Sequence, residues 1–329
     1  MIRLGVIGTS WITTELIRAA NLSGDFVCNA VYSRTAERAT AFAAQHGMSH
    51  SFTDLAGLAQ SDAVDAVYIA SPNACHAAQG ILMMDHGKHV LCEKPIAANS
   101  GELAAMIAAA RRNRVVLMEA LKTTLLPNFA AIRANLAKLG PIRRFTAVKC
   151  QYSSRYDRYK RGEPTNTFDP RLANGSLMDI GVYCVYPIIA LFGAPQRVRA
   201  NAVMLASGVD GAGSVCLQYP EMEALAIHSK INDGVSPSEI QGENGSIVID
   251  QLSTPQRVEI RYRNGAVEDI SRPQSEVTML YEVQEFGALI RGGRLESSVN
   301  THRLATAVLA VLDEARRQFG LRFPSDPPE

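Results

Sequence analysis

The feature that most limits the fold is the alternation of apolar runs and helical periods over residues 1–120. Leu4 to Ile7 is a short apolar run closed by Gly8, and Ile12, Leu16, Ile17 and Ala20 follow at helical spacing. Phe26 to Tyr32 reads as a second strand. Thr35 to Gln45 reads as a helix with Ala39, Phe42 and Ala43 inward and Gly47 as its stop. Then come a strand at Ala63 to Ala70, a helix at Ala74 to Asp85, a strand at His89 to Cys92, a helix from Ser100 to Arg112 and a strand at Val115 to Glu119. Short links between unlike elements predict an α/β fold with a doubly wound parallel sheet. Such sheets bind ligands at the carboxyl ends of their strands, where Gly8, Ser33, Asn73, Lys94 and Glu119 all stand.

Two of those ends point to a dinucleotide. Strand, glycine turn and helix is the setting of a phosphate-binding turn. Here Gly8-Thr9-Ser10 runs into Trp11 and Ile12, with Ser10 and Thr13 in place of the second and third glycines of G-x-G-x-x-G. A serine is small enough to let backbone amides approach a pyrophosphate. After the second strand, Ser33-Arg34 offers a hydroxyl and a guanidinium where NAD-selective sites carry an acid, so NADP is favoured over NAD.

Charge narrows the partners. With 33 basic and 32 acidic residues in 329, the chain lacks the excess of cations that nucleic acid or an anionic membrane demands, which leaves a small molecule as partner. The amino-terminal run is too short for a signal peptide, and no uninterrupted apolar run reaches membrane length. Six scattered cysteines form no C-x-x-C pair, and no histidine cluster has metal-ligand spacing. The expectation is reduced thiols, a cytoplasmic location and no metal.

Beyond a helix at Pro127 to Leu139 the pattern changes to period two, at Arg143 to Tyr152, Arg197 to Leu205, Ser214 to Tyr219, Met222 to Lys230, Ile247 to Asp250 and Arg257 to Tyr262. Asn264-Gly265 after the last of these is a hairpin signal. The second sheet is therefore expected to be large and mainly antiparallel. Within its first crossover, a helix through Leu191 places Asp179 and Tyr183 four residues apart, on one face, as a carboxylate and phenol able to clamp a substrate. The loop Tyr152 to Thr167 is expected beside the substrate. Two amphipathic helices, Ser275 to Ile290 and Thr301 to Phe319, close the chain.

Ser71-Pro72-Asn73 with His76, then Glu93-Lys94-Pro95, then Asp179-Ile180-Gly181-Val182-Tyr183 resemble the motifs of the Gfo/Idh/MocA oxidoreductases, and the resemblance runs through essentially the whole chain. It implies a Rossmann-type domain over 1–120 and a substrate-binding α+β domain over 121–329 whose open sheet face meets another subunit in a dimer or higher oligomer. It also implies that Lys94 lies by the nicotinamide and the substrate carbonyl, that Glu93 holds the nicotinamide ribose, and that Asn73 and His76 lie along the cofactor. Glu119 is a further candidate for the substrate side. The tyrosine at 183, where many members carry histidine, is similar to the glucose-fructose oxidoreductases, certain aldose dehydrogenases and the dimeric dihydrodiol dehydrogenases. The implied reaction is hydride transfer between NADP or NAD and a secondary alcohol of a sugar, polyol or diol, with Lys94 or Tyr183 moving the proton. Two alternatives share the fold: an inactive dinucleotide-binding sensor, and a glycosidase that recycles its cofactor.

Overall fold

The computed structural model describes residues 1–327. It divides into two compact units, one of residues 1–122 and 275–302, the other of residues 123–274 and the described residues from 303 onward.

The first unit runs β1 (Ile2–Ile7), α1 (Trp11–Ser23), β2 (Phe26–Tyr32), α2 (Ala36–His46), β3 (His50–Phe52), α3 (Leu55–Gln60), β4 (Ala66–Ile69), α4 (His76–Asp85), β5 (His89–Glu93), α5 (Ser100–Asn113) and β6 (Leu117–Ala120). Its six strands are all parallel in the order β3-β2-β1-β4-β5-β6. This is the doubly wound sheet that the alternation predicts, with the order reversing at β1 and β4. Central strands are buried on both faces: Ala66, Val67, Tyr68 and Ile69 of β4 are fully inside, which is why they read as a continuous apolar run. The pair β3 and α3 was not expected, because three strand residues and six helical ones are too few to show a period. Their local signal is Asp54, which caps α3 by accepting from the amides of Ala56 and Gly57.

The second unit holds α6 (Pro127–Asn135), β7 (Ile142–Cys150), the short α7 (Tyr156–Lys160), α8 (Val182–Phe192) and the strands β8 (Arg197–Met204), β9 (Asp210–Gln218), β10 (Glu223–Ser229), β11 (Ser238–Gly242), β12 (Gly245–Ile249), β13 (Val258–Tyr262) and β14 (Val267–Asp269). The chain then lends α9 (Leu280–Arg291) to the first unit, where it packs on α1 and stacks Phe286 on Phe26 at 6.0 Å, before α10 (His302–Phe319). The eight strands form one sheet, β14-β13-β12-β11-β7-β10-β9-β8, antiparallel except that β10 runs parallel to β7. β11 escapes a reading by alternation because Ser238-Glu239-Ile240-Gln241-Gly242 carries a single apolar residue, and its place is set by its neighbours β7 and β12.

One face of this sheet is closed by α8. Phe145, Ala147, Ala224 and Ala226 point under it and are fully buried, and Phe192 meets Phe145 edge-on at 6.2 Å. The helical run Pro170–Phe192 is long and apolar enough to cross a membrane, but two thirds of its most apolar window, 67%, is buried within the protein, as a core helix requires.

Candidate active site

In the first unit the carboxyl ends of β1, β2, β4 and β5 carry the residues expected to hold a dinucleotide. Gly8 has φ +114°, and a Cβ there would sit 2.7 Å from the carbonyl oxygen of Ala70 after β4. Only glycine lets the two chains close at the point where the strand order reverses. Ser10 then takes an extended N-cap conformation without turning its hydroxyl onto α1, so the first turn of a 13-residue helix opens at that crevice. Ser33 is buried, whereas Arg34 is exposed. Burial pushes the Cys75 thiol up and the Arg34 charge opposes it, so the guanidinium reaches toward the β4–α4 connection.

The turn after β5 is gripped from two sides. Nδ1 of His76 lies 2.9 Å from the Pro95 carbonyl, and its Nε2 lies 2.9 Å from the Ser71 carbonyl, so one imidazole ties both motifs together. Burial lowers the affinity of His76 for a second proton, which leaves one N–H to serve one of these carbonyls. Glu119 is buried and accepts from the Ile96 amide at 3.0 Å. The peptide bond between Lys94 and Pro95 is cis. Thus His76 and Glu119, read from the sequence as ligand contacts, both hold the backbone that presents Lys94. Asn73 is buried in a short helical turn, Asn73–Cys75, ahead of α4.

Glu93 accepts from the Tyr68 hydroxyl at 2.5 Å and from the Lys94 amide at 3.2 Å. Burial raises its pKa, with Lys94 and these two hydrogen bonds opposing. Sequence reasoning missed its neighbour Glu282 on α9. That carboxyl is fully buried, and burial together with the Glu93 charge raises its pKa well above the carboxylate range, while Lys122 works the other way. Lys122 donates to the Thr278 hydroxyl at 3.0 Å.

In the second unit Asp179 lies on a π-helical turn, Leu177–Gly181, that runs directly into α8 with Tyr183 in its first turn. The spacing of four was read as plain α-helix. The amino end of this wider turn is anchored by buried side chains, and π turns of this kind cluster at functional sites. Asp210 is fully buried and accepts from the Leu177 amide at 2.6 Å; a Cβ on Gly175 would land on its other oxygen. The Ser176 hydroxyl meets Nδ1 of His228 at 2.9 Å, and a Cβ on Gly181 would come within 3.0 Å of the His228 ring. Burial raises Asp210 to about 6 and lowers His228 to about 3, so this pair carries little charge under the turn between about pH 3 and 6.

Two lysines from the sheet meet the two candidate groups. Lys230, directly after β10, pairs with Asp179 at 2.8 Å. Lys149 of β7 stands over the Tyr183 ring, 5.2 Å from its centroid, and donates to the Ser253 hydroxyl at 2.8 Å. Neither lysine was singled out beforehand. Their signal was a cation at an inward position of an otherwise apolar strand face, since Lys149 and buried His228 are register partners. Of the expected loop, Arg158 and Arg161 pair with Glu163 on the surface, and Lys160 pairs with Asp157.

Comparison with known proteins accounts for both units. Residues 2–121 match the oxidoreductase family with an NAD-binding Rossmann fold, and residues 132–248 match the GFO/IDH/MocA C-terminal domain. The chain is 54% identical over 326 residues to scyllo-inositol 2-dehydrogenase (NADP(+)) IolU of Bacillus subtilis, covering 99% of each protein. It is 28% identical over 341 residues to trans-1,2-dihydrobenzene-1,2-diol dehydrogenase of Sus scrofa, covering 99% of each. Among solved structures, aldose-aldose oxidoreductase of Caulobacter crescentus superimposes with a TM-score of 0.85 at 21% identity, over 96% of this chain and 97% of that one. That likeness speaks for the fold.

Proposed function

The chain belongs to the GFO/IDH/MocA family of oxidoreductases, and from that premise we propose that it is an NADP-dependent dehydrogenase that oxidises one ring hydroxyl of an inositol to a ketone. The observation that carries this reading is the near full-length identity with an enzyme named for NADP and scyllo-inositol. The residues present fit the cofactor: Gly8 makes the close approach a pyrophosphate needs, α1 opens there, and Arg34 offers a cation where a 2'-phosphate would lie. NADP, when bound, takes up the hydride from the carbinol carbon.

The remaining steps fall to the chain. Gly8, Thr9, Ser10, Trp11 and Ile12 cradle the pyrophosphate, Ser33 and Arg34 the 2'-phosphate, and Ser71, Pro72, Asn73 and Glu93 the nicotinamide ribose. His76 and Glu119 hold the turn, and Lys94 orients the substrate oxygen. Tyr183 takes the hydroxyl proton while the Lys149 ammonium against its ring stabilises the negative charge that develops. Asp179 fixes the ring by a neighbouring hydroxyl.

We assign the protein to the cytoplasm, since its six cysteines are all free thiols. We also assign it to a dimer or larger assembly, because Thr146, Val148, Cys216, Leu225 and Ile227 form a mixed, half-exposed row on the sheet face away from α8. Sedimentation as a monomer at micromolar concentration would reject the assembly.

The test of function is a nicotinamide-absorbance screen of inositols, sugars, diols and dicarbonyls with NADP and NAD in parallel. The expected result is NADP reduction with an inositol. Silence across the panel with intact NADP binding would reject the proposal in favour of a sensor, and glycosidic cleavage without net absorbance change would make it a glycosidase.

A further inference from the structure

A lysine ammonium is among the costliest groups to bury, and it stays inside only where a partner charge and hydrogen bonds replace its water. The Lys230 side chain is 2% exposed. Its ammonium meets the Asp179 carboxylate at 2.8 Å, donates to the Thr167 carbonyl at 3.0 Å and lies 5.1 Å from the centre of the Phe168 ring. The backbone beneath it is rigid, because the Lys230 amide continues the sheet ladder by donating to the Gly211 carbonyl at 2.8 Å. Asp179 differs: its side chain is 30% exposed and stands on the π-helical turn rather than on regular helix. A fixed buried cation thus faces a half-open anion.

We infer that Lys230 is the positioning residue for Asp179, holding that carboxylate turned so that its exposed side receives a substrate hydroxyl. The same ammonium fastens the Thr167 end of the loop that precedes the turn, so the anion and the loop are set by one group. Lys149, on the neighbouring strand, donates to Ser253 and stands over the Tyr183 ring. A lysine thus meets each of Asp179 and Tyr183, and each lysine is carried by the sheet ladder or its direct continuation.

This inference rests on the inositol dehydrogenase reading, and the test is a double-mutant cycle on the full chain with Lys230→Met, Asp179→Asn and the pair. NADP-linked oxidation of scyllo-inositol gives kcat and both KM values, and thermal denaturation of the same four proteins needs no substrate. Lys230→Met is expected to lower kcat/KM for the inositol at least tenfold while the KM for NADP stays within twofold. In the Asp179→Asn background it should cost less than threefold more. The two single variants should lose more melting temperature together than the double variant does.

Losses that multiply in the double variant, or an NADP KM that rises in step with the inositol KM, would overturn the inference. Should Lys230→Met fail to fold, Lys230→Gln takes its place; if neither folds while Asp179→Asn does, the lysine is a structural strut and the inference fails. Wild-type protein that turns over no inositol with either cofactor sinks the reading of function instead, and the thermal cycle still reports whether the pair is coupled.

Discussion

Replacing Gly8 by alanine tests the cofactor cradle at its tightest point. At φ +114° an L-residue stands outside its favoured regions, which costs about 1–3 kcal/mol. The added Cβ also sits 2.7 Å from the Ala70 carbonyl oxygen, a main-chain atom that cannot rotate away. The turn must therefore move, and the crevice between β1 and β4 opens with it. Taking about 2 kcal/mol for restoring the closed turn on binding, NADP affinity should fall roughly thirtyfold, at 1.4 kcal/mol per decade. The assay is built into the chain: its single tryptophan, Trp11, is 69% exposed at the start of α1, so its fluorescence reports on ligand entering this turn. A Gly8→Ala protein that melts lower yet titrates with NADP as tightly as the wild type would refute the argument, because strain would then be present without any bearing on the cofactor.

Arg34→Ala should raise the KM for NADP by about tenfold or more and leave that for NAD within twofold, since a charge-assisted hydrogen bond contributes about 1.5–3 kcal/mol; equal effects on both would remove Arg34 from the 2'-phosphate site. Lys94→Ala should abolish turnover while Trp11 quenching still reports NADP binding, and retained turnover would take Lys94 out of the chemistry. His228, lowered from 6.5 to about 3, contributes stability above pH 6.5 that is lost as pH falls toward 3; Asp210, raised from 3.8 to about 6, contributes stability below 3.8 that is lost as pH rises through 6. Between pH 6 and 4 these opposed slopes of about 1.4 kcal/mol per pH unit cancel, so Asp210→Asn should melt progressively lower on acidification across that window while the wild type holds, and parallel curves would refute it.

Most of the first unit was legible because its central strands are buried on both faces and its longer helices on one, so composition and period carry that layout, down to the glycine that closes β1 on β4. What the period cannot name is a partner. The run at 280–291 reads as an amphipathic helix, yet nothing in it says that Phe286 stacks on Phe26 or that Glu282 enters beside Glu93. The parallel pairing of β10 with β7 is hidden for the same reason, as alternation fixes the face of a strand but not its direction.

The candidate site divides along the same line. Backbone-defined parts were visible as motifs, since a turn needs its glycine or proline at a fixed place in the chain. Side-chain partners that arrive from distant strands were not. His76 illustrates the difference: the motif suggests a ligand contact, and nothing in the motif says that its two ring nitrogens face the carbonyls of Ser71 and Pro95 and so fasten one turn to another. Lys149 and Lys230 make the converse case. Each violates the apolar pattern of the strand face beneath α8, and a cation on that inward face, buried at Lys230 and half-buried at Lys149, is held by a charge or an electron-rich ring. Breaks in a buried pattern therefore point to side-chain partners that motifs do not name, because a motif can serve the backbone alone, whereas an inward ammonium must have a partner.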